Sequence, residues 1–177
     1  SRKITTLVFD KTGTLTIGKF EVSKVVSLHP ELSETELIRL ASSLEQESEH
    51  PIATGIIQRA KDLAIIIPPT KTFQAITGKG IEGRVEGHLI AVVSPGYLKE
   101  KDIDLPAGFK ANDSETVVFL IVDGLLAGYI ALSDTIRPES HSAIETLHKH
   151  NIKSVLLTGD NVKVAKSVSE TLGMDSF

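Results

Sequence analysis

Hydrophobic positions recur with two different periods along this chain, and the changes of period mark its plan. Residues 4–9 are apolar except for Thr5 and Thr6, which predicts a buried strand running up to Asp10. Residues 20–28 alternate as a second strand, which His29-Pro30 ends. Ser33 stands as an N-cap with Glu36 three residues on, the spacing of a capping box. Leu37, Leu40, Ala41 and Leu44 then recur at helical spacing, so a helix is predicted over 34–46. Pro51 suits the first position of another helix. Ile52, Gly55, Ile56, Arg59 and Ala60 run along its face, and it ends near Leu63. Pro68-Pro69 excludes regular structure there.

From 72 to 93 the period becomes two, and three antiparallel strands are predicted, the last pair joined tightly at Glu86-Gly87-His88. A short helix is expected at 95–100 and a polar loop over 104–115. Runs 117–122 and 125–132 flank Asp123-Gly124, a hairpin signature. After Ser133 the grammar shifts again. Pro138 opens a helix carrying Ala143, Ile144, Leu147 and His148; 153–157 reads as a second buried strand; 161–172 is an amphipathic helix that Gly173 stops. Strand alternating with helix is α/β grammar. The expected plan is therefore an insertion: residues 1–19 and 134–177 form one discontinuous α/β domain, and 20–133 form a β-rich second domain inside it.

Composition narrows the partners. With 177 residues, 41% hydrophobic and 24% charged, the chain suits one ordinary globular domain or two small ones. A net charge of −4 without a basic block argues against nucleic acid as a partner. No cysteine and a single Met argue against disulfides and a soft-metal site. No apolar run reaches the length of a membrane-spanning helix. The first strand begins within a few residues of Ser1, so the chain reads as an excised soluble piece of something longer.

Two strings carry chemistry. Asp10-Lys11-Thr12-Gly13-Thr14-Leu15-Thr16 puts a carboxylate at the carboxyl end of a strand, where open α/β sheets place their ligands. The Gly- and hydroxyl-containing turn behind it can approach an anion closely, and an aspartate so placed can act as a nucleophile. Thr158-Gly159-Asp160-Asn161 follows the later strand in the same way. A hydroxyl beside a helix N-terminus suits a phosphate oxygen, while Asp160 or Asn161 suits an N-cap.

DKTGTLT resembles the phosphorylation motif of the P-type cation-transporting ATPases, and TGDN resembles their motif that contacts the transferred phosphoryl group. The resemblance implies a discontinuous haloacid-dehalogenase-like phosphorylation domain with a Rossmann-type parallel sheet. Inserted in it would be an α+β nucleotide-binding domain, an antiparallel sheet flanked by helices. It implies Asp10 as the phosphorylated nucleophile, with Lys11, Thr12, Thr158, Gly159 and Asp160 in the catalytic set. Mg²⁺ would be held by Asp10 and the Thr12 carbonyl, and ATP would be the phosphoryl donor.

Further strings extend the likeness. Asp134-Thr135-Ile136-Arg137-Pro138 matches the family's D-x-x-R-P, which makes Asp134 and Arg137 hinge and nucleotide-proximal residues. Read from spacing alone, the same two residues form an i, i+3 pair before a Pro-started helix. Ser48-Glu49-His50-Pro51 resembles the nucleotide-binding signature of the heavy-metal-transporting (P1B) branch, which implies His50 beside the adenine and Glu45 as its acidic neighbour. Gly78 and Gly80 match a G-x-G pair that lets backbone approach the nucleotide; without the family, Gly78-Lys79-Gly80 reads as a β-turn.

The family also implies domain closure with hinges near 17–20 and 132–134. It implies a cytoplasmic location in an integral membrane protein, and transmembrane and actuator domains as partners. The transported ion, copper ahead of zinc or cadmium, would not be bound by this segment. Two departures stand out. The branch's Gly-Asn pair is replaced by Val93-Ser94-Pro95-Gly96-Tyr97, and the chain ends at Phe177 before the family's G-D-G-x-N-D string and phosphate-binding Lys. The competing readings are a soluble phosphatase of the same superfamily and a nucleotide-sensing module without turnover. The phosphatases place a second Asp two residues after the nucleophile, where this chain has Thr12.

Overall fold

The computed structural model of this chain describes residues 4–110, 112–159 and 162–177. Its elements are β1 (Thr6–Asp10), β2 (Thr16–Ser27), α1 (Glu34–Glu45), α2 (Pro51–Asp62), β3 (Lys71–Ile76), β4 (Gly80–Val85), β5 (His88–Val93), α3 (Pro95–Glu100), β6 (Thr116–Val122), β7 (Leu125–Ile136), α4 (Pro138–Lys149), β8 (Lys153–Leu157) and α5 (Val162–Leu172). They fall into two compact units: Ser1–Lys19 with Asn112–Glu115 and Asp134–Phe177, and Phe20–Ala111 with Thr116–Ser133.

In the first unit β1 and β8 pair in parallel, with Phe9 opposite Leu156 and Asp10 opposite Leu157. Leu15, Ile144, Leu156, Val164, Ala165, Val168 and Leu172 form its core, with Phe9 packed against them. Helices α4 and α5 supply most of these side chains, and Phe9 and Leu156 bring one face of the sheet to them. The other face is open. Val8 is 61% exposed and Leu157 63%, so the two strands expected to be buried are buried on one side only. Apolar runs signal strands covered on both faces; among the described residues only one cover is present.

The segment after α5 adds an edge to this sheet. Asp175 N–H donates to Ser154 O at 3.0 Å and Leu156 N–H to Ser176 O at 2.9 Å. The Asp175 carboxylate accepts from Ser154 N–H at 2.7 Å and lies 3.0 Å from His148 Nε2. These donors, the Ser154 amide first and His148 next, hold its pKa below the ordinary value.

The second unit is a six-stranded sheet in the order β2-β7-β6-β5-β4-β3. Its two faces carry separate cores. Leu37, Leu44, Ile56, Ile90, Leu120 and Ile130 lie on the side of α1 and α2. Phe119, Tyr129, Val93 and Leu98 lie on the other, where α3 packs. Phe109, in the loop expected to be polar, inserts its ring there, 5.1 Å from that of Tyr129 and at nearly a right angle to it. The β4–β5 and β6–β7 turns have φ above zero at two successive residues, Glu86-Gly87 and Asp123-Gly124, as two-residue loops of type I′ require. Strands β2 and β7 run to 12 residues each, longer than their alternation predicts.

Candidate active site

The turn after Asp10 spans Lys11–Leu15. Thr12 (φ −75°, ψ 121°) and Gly13 (φ 79°, ψ −9°) are the central residues of a type II turn, whose third position needs positive φ and therefore favours Gly. An added Cβ at Gly13 meets nothing within 4 Å, so conformation and not space selects glycine here. Asp10 is exposed at the strand end, whereas Lys11 is buried at 2% exposure.

Distant residues hold this turn in shape. The Thr16 hydroxyl is fully buried, accepts from Gly13 N–H at 3.4 Å, and lies 2.5 Å from Asp134 Oδ2 and 3.0 Å from Lys11 O. Its single proton goes to the carboxylate, the stronger acceptor. Asp134 Oδ1 accepts from Gly18 N–H at 3.1 Å. Arg137 donates from Nε to Thr16 O at 3.1 Å and from Nη2 to Gly13 O at 3.0 Å. Ser140 Oγ donates to Leu15 O at 2.8 Å. The i, i+3 pairing of Asp134 with Arg137 is therefore replaced: each grips the turn. The spacing rule belongs to helices, and Asp134 lies in β7 while Arg137 only caps α4.

The register of β1 on β8 sets the second loop beside the first. Asp10 lies opposite Leu157, so Thr158 and Gly159 begin where Asp10 ends, at the carboxyl ends of neighbouring parallel strands. Asp160 and the Asn161 cap lie outside the described residues. Asp10, Lys11, Thr12, Thr158 and Gly159 thus share one end of this sheet. No group of three or more His, Cys, Asp or Glu suited to a metal occurs among the described residues. One exposed carboxylate plus a backbone carbonyl fits Mg²⁺, a hard ion usually held by one or two carboxylates together with phosphate and water oxygens.

The remaining candidates lie in the second unit. Glu45 ends α1 and is 2% exposed. Burial pushes its carboxyl up to about 7, and the Ser48 hydroxyl opposes that rise. His50 is the N-cap of α2, its Nδ1 accepting from Ile52 N–H at 3.3 Å, so the ring proton sits on Nε2. The backbone N–H of His50 in turn donates to Ser48 Oγ at 3.2 Å. Glu45 and His50 are thereby joined.

Gly78 and Gly80 sit in the β3–β4 turn, and no described contact links them to that pair. Gly78 has φ 67° and open space around it. A Cβ at Gly80 would lie 2.1 Å from Val92 O, so the neighbouring strand already demands glycine there. The sequence reading missed Thr16, Ser140 and Ser48 as participants. Thr16 and Ser48 were visible inside their motifs; Ser140 carries no signal, because its partner is 125 residues away.

A carboxylate and a Thr-Gly loop at adjoining parallel strand ends match the arrangement of a haloacid dehalogenase-like hydrolase. The model of the haloacid dehalogenase-like hydrolases matches residues 4–177, and the chain belongs to that family. Its relatives there are heavy-metal P-type ATPases. The copper-exporting P-type ATPase B of Archaeoglobus fulgidus is 44% identical over 100% of this chain and 26% of its own length. The zinc-exporting P-type ATPase of Mycobacterium marinum is 32% identical over 99% of this chain and 25% of its own. A solved catalytic domain of the CPx-ATPase CopB-B, described for its conformational changes upon nucleotide binding, superposes with a TM-score of 0.73 at 26% identity, covering 98% of this chain and 62% of that one. The resemblance read from DKTGTLT thus extends along the chain, which spans about a quarter of the length of the curated relatives it matches.

Proposed function

We propose that this chain is the ATP-binding and phosphorylated segment of a heavy-metal P-type ATPase, the cytoplasmic part of a membrane pump that works with transmembrane and actuator domains. Residues 1–19 and 134–177 would be the phosphorylation domain, and 20–133 the nucleotide-binding domain. The observation that supports the reading is the pairing of Asp10 with Leu157, by which the strand that ends at Asp10 lies next to the strand that leads into the Thr158 loop.

Asp10 attacks the γ-phosphorus of ATP in line; the bond to the β,γ-bridging oxygen breaks, ADP leaves, and an aspartyl phosphate remains. Such a transfer depends on position and on neutralising charge over the equatorial oxygens. Thr158 and the Thr12 backbone N–H supply donors for them. Asp134 and Arg137 act by keeping that turn rigid. Bound Mg²⁺ would neutralise phosphate charge, held by the Asp10 carboxylate and the Thr12 carbonyl. Glu45 and His50 receive the adenine, and the Gly78–Gly80 turn passes close to the nucleotide. Thr12 leaves no carboxylate two residues after Asp10 to activate water, so the phosphoenzyme is long-lived, which suits a pump better than a phosphatase.

Copper is the favoured cargo because the 44% identical relative is named a copper exporter; the zinc exporter at 32% makes zinc the competitor. The test is phosphorylation of the complete pump with Mg²⁺ and γ-labelled ATP. A hydroxylamine-labile label is expected, and Asp10→Asn should abolish it while ATP still binds. Label that persists in Asp10→Asn would sink the assignment.

A further inference from the structure

The segment between α1 and α2 contains a polar chain through Glu45 and His50 whose middle member, Ser48, the nucleotide reading above does not use. Ser48 N–H donates to the backbone carbonyl of Glu45 at 3.1 Å, which continues the end of α1 into the loop. The Ser48 hydroxyl then faces two ways. It accepts from His50 N–H at 3.2 Å and hydrogen-bonds the Glu45 carboxyl. A hydroxyl has one proton and two lone pairs, so it can donate to the carboxyl and accept from the amide at once. Beyond His50 the chain continues through Nδ1 to Ile52 N–H at 3.3 Å.

We propose that Ser48 is a positioning residue of the nucleotide site, its one hydroxyl setting both the Glu45 carboxyl and the backbone that aims the His50 ring. This rests on the reading that Glu45 and His50 meet the adenine. Ser48 makes no contact with the ligand in this account. An ionised Glu45 accepts from the adenine amino group, and Ser48 favours that ionised form by donating to it. Loss of the hydroxyl leaves a buried carboxyl without its donor, protonated over a wider pH range and less able to accept.

Other charged groups do not take over this role. Burial and the Ser48 hydroxyl are the influences on Glu45. On α1 itself Arg39 pairs with Glu36 and with Glu86, and on the strands packed against it Glu82 faces Gln74 and His88 faces Asp123. Arg84 donates to Gly87 O, and Arg59 and Lys61 lie in the last turn of α2, away from its His50 end.

The experiment follows the Glu45 side-chain carboxyl by carbon NMR in this chain labelled at Glu, alongside ATP binding by calorimetry between pH 6 and 8.5. Ser48→Ala should move the Glu45 midpoint up by about half to one pH unit, the size expected for one lost hydrogen bond to a carboxylate. ATP affinity should fall several-fold near pH 7 and recover towards pH 8.5. Ser48→Thr, which keeps the hydroxyl, should restore both, and Ser48→Cys, a weaker donor, should fall between if the alanine variant fails to fold.

An unmoved midpoint in Ser48→Ala, or an affinity loss equal at all pH values, overturns the proposal and leaves Ser48 as a turn residue. A moved midpoint in a chain whose unmutated form binds no ATP upholds the hydrogen-bonded chain and sinks the nucleotide reading instead.

Discussion

The two candidate sites follow opposite plans. The polar chain from Glu45 to Ile52 closes within eight consecutive residues, each bond reaching two or three positions along the sequence. The turn after Asp10 takes its shape from partners 116 to 125 residues away: Asp134, Arg137 and Ser140. The first plan keeps its geometry as long as two helix ends survive. The second exists only once the chain has returned from its long excursion. A turn proposed to hold a phosphate beside Asp10 has to be rigid to be useful, and here the rigidity comes from far along the chain.

The sharpest contrast lies within the second unit, between two glycines of one turn. Gly80→Ala should destabilise by about 3 kcal/mol, because its Cβ would run into the Val92 carbonyl of the adjacent strand. Gly78→Ala meets only open space and should cost about 1 kcal/mol for its positive φ. Urea denaturation compares them. Equal losses would show that the crowding at Gly80 relaxes.

Next in size, Arg137→Ala should slow phosphoenzyme formation about a hundredfold, through loss of two bonds to the Gly13 and Thr16 carbonyls. ATP affinity should stay within about twofold. A dissociation constant that changes as much as the rate would erase the separation between the two plans.

Glu45→Gln tests the local plan through pH. A carboxyl held near 7 in the folded chain and 4.5 as its ordinary value takes up a proton on folding between those limits. Its contribution to stability is full below 4.5 and is lost as pH rises to about 7, above which the buried group is charged. The substitution should therefore stabilise by about 2 kcal/mol at pH 8 and be close to neutral at pH 4, as read by melting at both values. Smallest, His50→Gln should weaken ATP binding by about 1–2 kcal/mol, measured by calorimetry; an unchanged constant would remove the ring from the site.

What was legible in the sequence was what is local. Ser33 caps α1, its Oγ accepting from Glu36 N–H at 3.1 Å, although the Glu36 carboxylate turns to Arg39 instead of closing the capping box. Pro51 opens α2, and two hairpins turn at Glu86-Gly87 and Asp123-Gly124, because such signals are written within four residues. The open face of β1 was not legible, since an apolar run cannot say how many layers will cover it. Nor was the edge added by 174–176, where Asp175 binds Ser154 by contacts that no periodicity records. Asp10 and Thr158 stood out as motif letters, but their adjacency came only from the register of β1 on β8. Thr16, Ile17, Gly18 and Lys19 carried no strand signal, yet they open β2.

One carboxylate has a wider consequence. Asp134 takes hold of Thr16 and Gly18, so the point where the chain departs and the point where it comes back are pinned together. The entropy of joining two ends grows only with the logarithm of what lies between. The intervening stretch can accordingly be lengthened, trimmed or exchanged with little penalty at the nucleophile. Asp134 is in effect the clasp of a cassette, and a lineage could restyle the inserted unit many times while leaving the turn after Asp10 as it was.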